Sequence, residues 1–359
     1  MASDTFRVAV IGMGFGARVQ MPVFRDHPQC AVTAVCSGSL ERAKAAAVQF
    51  AVPYFTDDYR ECVKRADVDL VSIVTPPPLH KPIALAALRA GKDVLCEKPF
   101  ALNATEARSM CSAARRSKRA GMLDHEFRYI PARLRAKSLV DDGWPGDVER
   151  IVITEATTWM HPTSTLRHAW QSRARDGGGV LGALGSHYID YCRWLDGDVR
   201  EVKATLQTRV KKRARPDGAP ANVDADDNFS VSMEMASGAL ATIDLTATAN
   251  ASYSSIFISG SKGALLVRDD AEIFGLRAGR EPVLVTAPAR FPRRLANAGH
   301  RLIGPFYTLV NEMLDHLAGK PSSVPTFEDG LKVQEVLDAA RRAARTGRAV
   351  RLGGARRRS

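Results

Sequence analysis

At 359 residues the chain is long for one domain, and two are expected. Its 45% hydrophobic and 25% charged residues suit a globular protein, and no apolar run approaches the roughly 20 residues of a membrane span. The net charge of +12 resides in acid-free windows with five basic side chains in 209–215, four in 290–301 and eight in 341–359, so loops and a tail carry it; a solvated surface is expected there, with no nucleic-acid site.

The first residues, Met1 to Arg7, run straight into a strand at Val8–Gly12 and leave no room for a signal peptide, so a cytoplasmic protein is expected. That strand enters Gly12-Met13-Gly14-Phe15-Gly16, followed by a helix through Val19 and Phe24. Glycines between strand and helix are where a dinucleotide pyrophosphate meets a helix N-terminus. The third glycine comes early and position 17 is alanine, so an ordinary glycine turn is the competing reading. A second strand, Ala31–Cys36, ends in Ser37-Gly38-Ser39-Leu40-Glu41-Arg42. An acid about 20 residues beyond the glycines normally binds the adenosine ribose of NAD. Its absence removes repulsion against a 2′-phosphate, Ser37 and Ser39 can donate to one, and Arg42 can pair with it. NADP is therefore expected over NAD; the competing reading makes Ser37 a turn residue and Arg42 a solvated helix charge.

A helix over Leu40–Phe50, a strand Leu70–Val74 ending at Thr75-Pro76-Pro77-Pro78 and a helix over Lys81–Ala90 follow. Strand Asp93–Glu97, helix Thr105–Ser117 and a strand near Ala120–Asp124 complete a β/α alternation that predicts a doubly wound parallel sheet. Glu97-Lys98-Pro99 then puts an amine at the carboxyl edge of that sheet, where open α/β sheets bind ligands.

Beyond about residue 150 the period changes. Phe229, Val231, Met233 and Met235 alternate with Ser230, Ser232 and Glu234. Similar runs near Arg150–Thr158, Glu201–Thr208, Ala239–Thr248, Ser254–Ser259 and Ala264–Arg268 predict an antiparallel sheet. Two helices close the chain at about Pro305–Leu317 and Phe327–Arg345. The six cysteines form no C-x-x-C and read as buried free thiols. His161 and His168 lack a cysteine or carboxylate at ligand spacing, so no metal is expected.

In this order the pieces resemble the Gfo/Idh/MocA family, sugar and cyclitol oxidoreductases related to glucose–fructose oxidoreductase and inositol dehydrogenase. The resemblance covers nearly the whole chain. It runs from the glycine loop through Thr75-Pro76 and His80, Ala90-Gly91-Lys92-Asp93-Val94-Leu95-Cys96-Glu97-Lys98-Pro99, and Gly177-Gly178-Gly179 with Gly185-Ser186-His187-Tyr188-Ile189-Asp190, to Glu328-Asp329-Gly330 and Thr346-Gly347-Arg348. It implies a Rossmann domain at 1–126, a substrate-binding and oligomerisation domain at 127–352 built on a largely antiparallel open-faced sheet, and a basic tail at 353–359, expected to be disordered. By the same resemblance Gly12, Gly14, Phe15 and Gly16 cradle the pyrophosphate, and Thr75, Pro76 and His80 line the path to the nicotinamide. Glu97 and Lys98 reach the nicotinamide ribose and substrate, Arg128 with Trp170 closes that pocket, and Lys98–Pro99 is cis. The broad sheet face in this family commonly buries against a second subunit, which implies a homo-oligomer, a dimer or tetramer.

His187 falls on a helix beginning after Gly177–Gly179 and ending near Leu195, where Ala183, His187, Asp190 and Tyr191 share a face. A packed or capping histidine is the competing reading; the matching motif implies catalysis. Relatives with a clear sugar-dehydrogenase site usually carry an aspartate where this chain has Ala183. The expected activity is NADP(H)-dependent interconversion of a secondary alcohol and a carbonyl on a sugar-like or cyclitol-like substrate. In it Lys98 stabilises the reacting oxygen and His187 moves the proton. Tyr129, Trp159, His161 and Arg167, with Arg128, are further candidates for substrate contact. Alternatives are an NAD-assisted glycosidase of the same family and a non-catalytic nucleotide-binding relative.

Overall fold

The computed structural model describes residues 5–295 and 298–353. Contacts divide it into two units: the chain up to Tyr129 together with Ala289–Leu331, and Ile130–Pro288 together with the chain from Lys332.

In the first unit, Val8 to Ile11 of β1 (Phe6–Ile11) are all buried, as a central strand covered on both faces requires. β2 (Cys30–Cys36), β3 (Tyr54–Thr56), β4 (Leu70–Ile73), β5 (Asp93–Cys96) and β6 (Gly121–Leu123) complete a sheet of order β3-β2-β1-β4-β5-β6. Every neighbouring pair is parallel. The order reverses between β1 and β4, the switch point at which such sheets open a ligand crevice. Helices α1 (Met21–Asp26), α2 (Leu40–Phe50), α3 (Tyr59–Lys64), α4 (His80–Arg89) and α5 (Ala104–Ser117) connect the strands. α5 starts where Asn103 Oδ1 accepts the Glu106 N–H at 3.0 Å, the usual way to satisfy an orphan helix donor. β3 and α3 were not expected; at three and six residues they are too short to show a period.

The second unit begins with α6 (Pro131–Asp141), whose proline at the first turn is a helix-start signal that the charged sequence after it obscures. Its large sheet runs β16-β15-β14-β13-β7-β12-β11-β8-β17. Here β7 is Val148–Ala156, β8 Val199–Gln207, β11 Asn228–Met235, β12 Leu240–Thr246, β13 Tyr253–Gly260, β14 Gly263–Arg268, β15 Glu272–Leu276, β16 Val283–Val285 and β17 Val350–Arg351. A separate hairpin joins β9 (Lys212–Ala214) to β10 (Pro220–Asn222). β7 pairs with β12 in parallel and the other neighbours are antiparallel, so the sheet is largely antiparallel, as expected, with one parallel pair. Phe229, Val231, Met233 and Met235 are buried on one face, and α7 (Ser186–Asp196) adds Tyr188, Ile189 and Tyr191 to the same core.

α8 (Ile303–Leu317) returns to the first unit, where Phe306 meets Phe24 of α1 edge-on at 5.5 Å between ring centroids. That packing is why Ala289–Leu331 groups with the Rossmann sheet, whereas the sequence division at 126/127 leaves it with the second domain. α9 (Phe327–Thr346) then gives Val333, Val336, Leu337 and Ala340, at helical spacing, to the second core. The basic tail lies outside the described residues from Ala355 on, as does Gly354. All six cysteines are buried and free. Among the described residues no helix is long and apolar enough to cross a membrane.

Candidate active site

Gly12, Ser37, Thr75, Glu97 and Asp124 each follow the end of a parallel strand, so the first unit gathers its candidate residues along one sheet edge. Gly12 adopts a φ of 114°, and a Cβ there would lie 2.3 Å from the Val74 carbonyl oxygen; only glycine lets this turn pass so close to β4. Gly14 has open space around it, and Gly16 begins a π turn, Gly16–Gln20, that continues into α1. The Phe15 ring stands edge-on to His300 at 5.8 Å. Thr75 Oγ1 is buried with no hydrogen-bond partner among the described residues, an orphan that a polar ligand atom would satisfy. A glycine cradle beside an orphaned hydroxyl fits a dinucleotide.

At the adenosine end, Ser37 is buried and its N–H donates to the Thr56 carbonyl at 3.3 Å. Ser39 Oγ accepts the Arg42 N–H at 3.4 Å as the cap of α2, which leaves its own proton to give. Arg42 is exposed and its guanidinium makes no ion pair among the described residues. Sequence reasoning missed Glu61 on α3, whose carboxylate accepts from Thr56 Oγ1 at 2.5 Å and Tyr54 Oη at 2.9 Å at the end of β3.

The Lys98–Pro99 peptide is cis. Lys98 is half-buried. Glu97 before it is buried, and its Oε2 accepts the Lys98 backbone N–H at 3.3 Å. Burial pushes the Glu97 carboxyl up to about 7, against the opposing pull of the Lys98 ammonium. Burial, then the charges of Glu126 and Glu97, raises Asp124 well above the usual carboxylate range. Glu126 is raised by burial as well. His80 is buried, with Nδ1 3.1 Å from the Pro99 carbonyl oxygen and Nε2 2.8 Å from that of Thr75, and burial favours its neutral ring. A neutral ring carries one N–H, so His80 donates to one of these two carbonyls and packs against the other. Pro76, next to Thr75, is exposed. Arg128 Nη1 and Tyr129 Oη both donate to the Ser323 carbonyl, at 3.2 and 2.9 Å, and both side chains are buried.

In the second unit, His187 lies buried in the first turn of α7. The residues before it form a second π turn, Leu181–Gly185, so Ala183 stands in a wider coil than the regular helix expected. Gly179 adopts a φ of 98°, and a Cβ there would meet Asp226 Oδ1 at 2.1 Å. Asp226 fixes this entry, accepting the Leu181 N–H on Oδ2 at 2.7 Å and the Val180 N–H on its carbonyl at 2.8 Å. Next along the helix, Tyr188 Oη donates to Glu155 at 2.5 Å and accepts from Arg133 Nη2 at 3.0 Å. Arg133 is buried and also grips Asp270 through Nε at 2.6 Å. Burial raises the Tyr188 hydroxyl far from any working proton donor.

Trp159, His161, Arg167 and Trp170 share one long loop between β7 and α7. Arg167 is exposed and the other three are half-buried; His161 Nδ1 lies 2.8 Å from Thr163 Oγ1. The β9–β10 hairpin holds this loop: Arg213 Nη2 donates to the Met160 carbonyl at 2.5 Å, and the His168 N–H donates to Ala214 at 2.8 Å. Asp224 adds an acceptor for the Ala174 N–H at 2.7 Å. The signal for these supports was the Val223-Asp224-Ala225-Asp226-Asp227 run, whose acids serve as backbone acceptors.

The family model described as an oxidoreductase family with an NAD-binding Rossmann fold matches residues 6–125, and that of the GFO/IDH/MocA C-terminal domain matches 134–266. Glucose-fructose oxidoreductase domain-containing protein 2 of Xenopus tropicalis is 30% identical over 362 residues, covering 95% of this chain and 92% of its own. Levoglucosan dehydrogenase of Pseudarthrobacter phenanthrenivorans is 29% identical over 298 residues, 75% of this chain and 76% of its own. A levoglucosan dehydrogenase solved with NADH and L-sorbose superposes with a TM-score of 0.88 at 25% identity, over 98% of this chain and 99% of that one.

Proposed function

The chain belongs to the Gfo/Idh/MocA family of NAD(P)-dependent oxidoreductases, and from that premise we propose that it interconverts a secondary alcohol and a carbonyl on a sugar-like or cyclitol-like substrate. The observation that carries this reading is the half-buried Lys98 at the carboxyl edge of the Rossmann sheet, beside a glycine cradle and the orphaned Thr75 hydroxyl. Hydride chemistry belongs to the bound nicotinamide. Gly12, Gly14, Phe15, Gly16, Thr75 and Pro76 hold the dinucleotide. Lys98 donates to the reacting oxygen and stabilises its developing negative charge. His187 gives or takes the proton. His80 and Glu97 shape the Thr75 and Lys98 turns, Arg128 and Tyr129 are held by the Ser323 carbonyl, and Trp159, His161, Arg167 and Trp170 offer substrate contacts from their loop.

NADP is the proposed cofactor, because the buried Ser37, the free proton of Ser39 and the unpaired guanidinium of Arg42 suit a 2′-phosphate. NAD is the second reading, favoured by the Glu61 carboxylate at the end of β3 and by the NADH bound in the solved levoglucosan dehydrogenase. A homo-oligomer completes the proposal. Phe257 pairs with Leu266 and Leu266 with Phe274 on the sheet face opposite Ile258 and Leu265, an apolar strip suited to a second subunit. Cytoplasmic residence is supported by six unbridged thiols. Thermal-shift titration with NADPH and NADH across sugars, amino sugars and cyclitols tests the whole reading. A larger stabilisation by NADPH, increased by a sugar, is expected; indifference to both nucleotides would refute it.

A further inference from the structure

Gln20 ends the π turn of the glycine loop, yet its side chain is fully buried away from solvent. Its Nε2 donates to Glu97 Oε1 at 3.0 Å and to Asp124 Oδ2 at 2.9 Å. Its Oε1 accepts from Ser72 Oγ at 2.5 Å. Ser72 is the one polar residue of β4, itself fully buried. The chain of contacts continues from Glu97 Oε2 to the Lys98 N–H. One amide thus links β4, the glycine loop, the ends of β5 and β6, and the backbone of Lys98. A primary amide meets the need, with two donors for two carboxyl groups and one acceptor for a hydroxyl.

We propose that Gln20 and Asp124 are positioning residues for Lys98, acting through Glu97. Three buried acids, Glu97, Asp124 and Glu126, stand together beside one ammonium. Like charges at that range in a low dielectric cannot all ionise, so the cluster keeps protons at neutral pH. Asp124 and Glu97 meet at the Gln20 amide, each accepting from its Nε2. Asp124 anchors the Gln20 amide, and the amide holds Glu97 turned toward the Lys98 backbone. The charged and titratable groups around the cluster include Cys96 at the end of β5, Glu97 and Lys98 beyond it, Asp124 beyond β6, His125 and Glu126 in the next turn, and Arg301 ahead of α8. The glycine loop and the lysine turn are thereby mechanically joined, which couples dinucleotide binding to the placement of the amine.

This inference rests on the proposed role of Lys98, and its test separates the two. The readout is the rate at which an amine-reactive acylating reagent labels Lys98 in the full-length protein without cofactor, followed by mass spectrometry. Gln20→Glu inserts a fourth acid and removes both donors. It is expected to change the labelling rate at neutral pH by about tenfold, because Glu97 and Asp124 lose the amide that holds them and the Lys98 turn is no longer fixed. Adding Asp124→Asn exchanges acid and amide across the contact, and is expected to restore the rate to within about threefold. Near-isosteric Gln20→Met, should the glutamate variant fold poorly, is expected to alter the rate by more than about threefold while leaving the nucleotide-induced thermal shift in place. Labelling rates equal to wild type in Gln20→Glu or Gln20→Met, or a double variant no better than Gln20→Glu, would overturn the inference. If Lys98→Met keeps full turnover, the reading of Lys98 and the inference fall together. If Lys98→Met loses turnover while labelling ignores Gln20, only the inference falls.

Discussion

The two candidate catalytic groups sit in opposite electrostatic settings. Lys98 follows a strand end where three buried acids and a bridging amide crowd into one network. His187 follows a π turn with alanine at 183, and the hydroxyl next to it on the helix is tied between Arg133 and Glu155. Charge is therefore managed on the lysine side, where a cluster can hold or release protons. Position is managed on the histidine side, where Asp226 and the Arg133 network fix the helix. The lysine site should respond to small changes in charge, and the histidine site to changes in shape.

The sharpest way to break this contrast is Lys98→Met. It should lower turnover by about 100- to 1,000-fold, the scale of losing a donor to a developing oxyanion, with little change in nucleotide affinity by fluorescence titration. Near-normal turnover would end the lysine assignment. His187→Ala should cost about 100-fold in turnover, as for loss of a general acid–base group. Ala183→Asp should move the pH–rate profile upward, because a carboxylate near the imidazole favours its protonated form. A neutral effect of His187→Ala would leave the proton to Lys98, since Tyr188 is locked in place.

Ser37→Asp should swing the ratio of kcat/KM for NADP and NAD toward NAD by about tenfold or more, since it puts a carboxylate where a 2′-phosphate would sit. An unchanged ratio would favour Glu61 as the group that sets cofactor choice. The smallest expected effect concerns stability. Glu97 is raised from its usual 4.5 to about 7, so between those values the folded state holds a proton that the unfolded chain releases. Stability contributed by this group is fully present below the unfolded value and is lost as pH rises through the folded one. Melting temperature should decline over that window through the cluster, and Asp124→Asn should flatten the decline. A slope untouched by Asp124→Asn would show that the acids do not titrate together.

Much of this was legible because it is contiguous. Gly12–Gly16, Glu97-Lys98-Pro99 and the Ser186-His187 helix start announce themselves in a few residues each. What escaped was assembled at long range: Gln20 reaches Asp124 across 104 positions, and Arg133 reaches Asp270 across 137. Neither pair has a local signature, since a glutamine in a helix or an aspartate after a strand is ordinary. The β14–β15 hairpin escaped for a different reason. Its turn uses Asp269 and Asp270, both at positive φ, where a sequence reader looks for Asn-Gly. Asp270 also receives the buried Arg133, an ion pair that helps hold this uncommon turn.

The central claim is tested most directly by following reduced nicotinamide in the purified protein with NADP⁺ or NAD⁺ over a panel of pyranoses, anhydrosugars and cyclitols, in wild type and Lys98→Met. The account predicts sugar-dependent reduction in wild type, faster with NADP⁺, that nearly vanishes in Lys98→Met while nucleotide binding persists. Sugar consumed with no net reduction would contradict it and indicate glycosidic cleavage. Equal rates in the two proteins would remove Lys98 from the reaction.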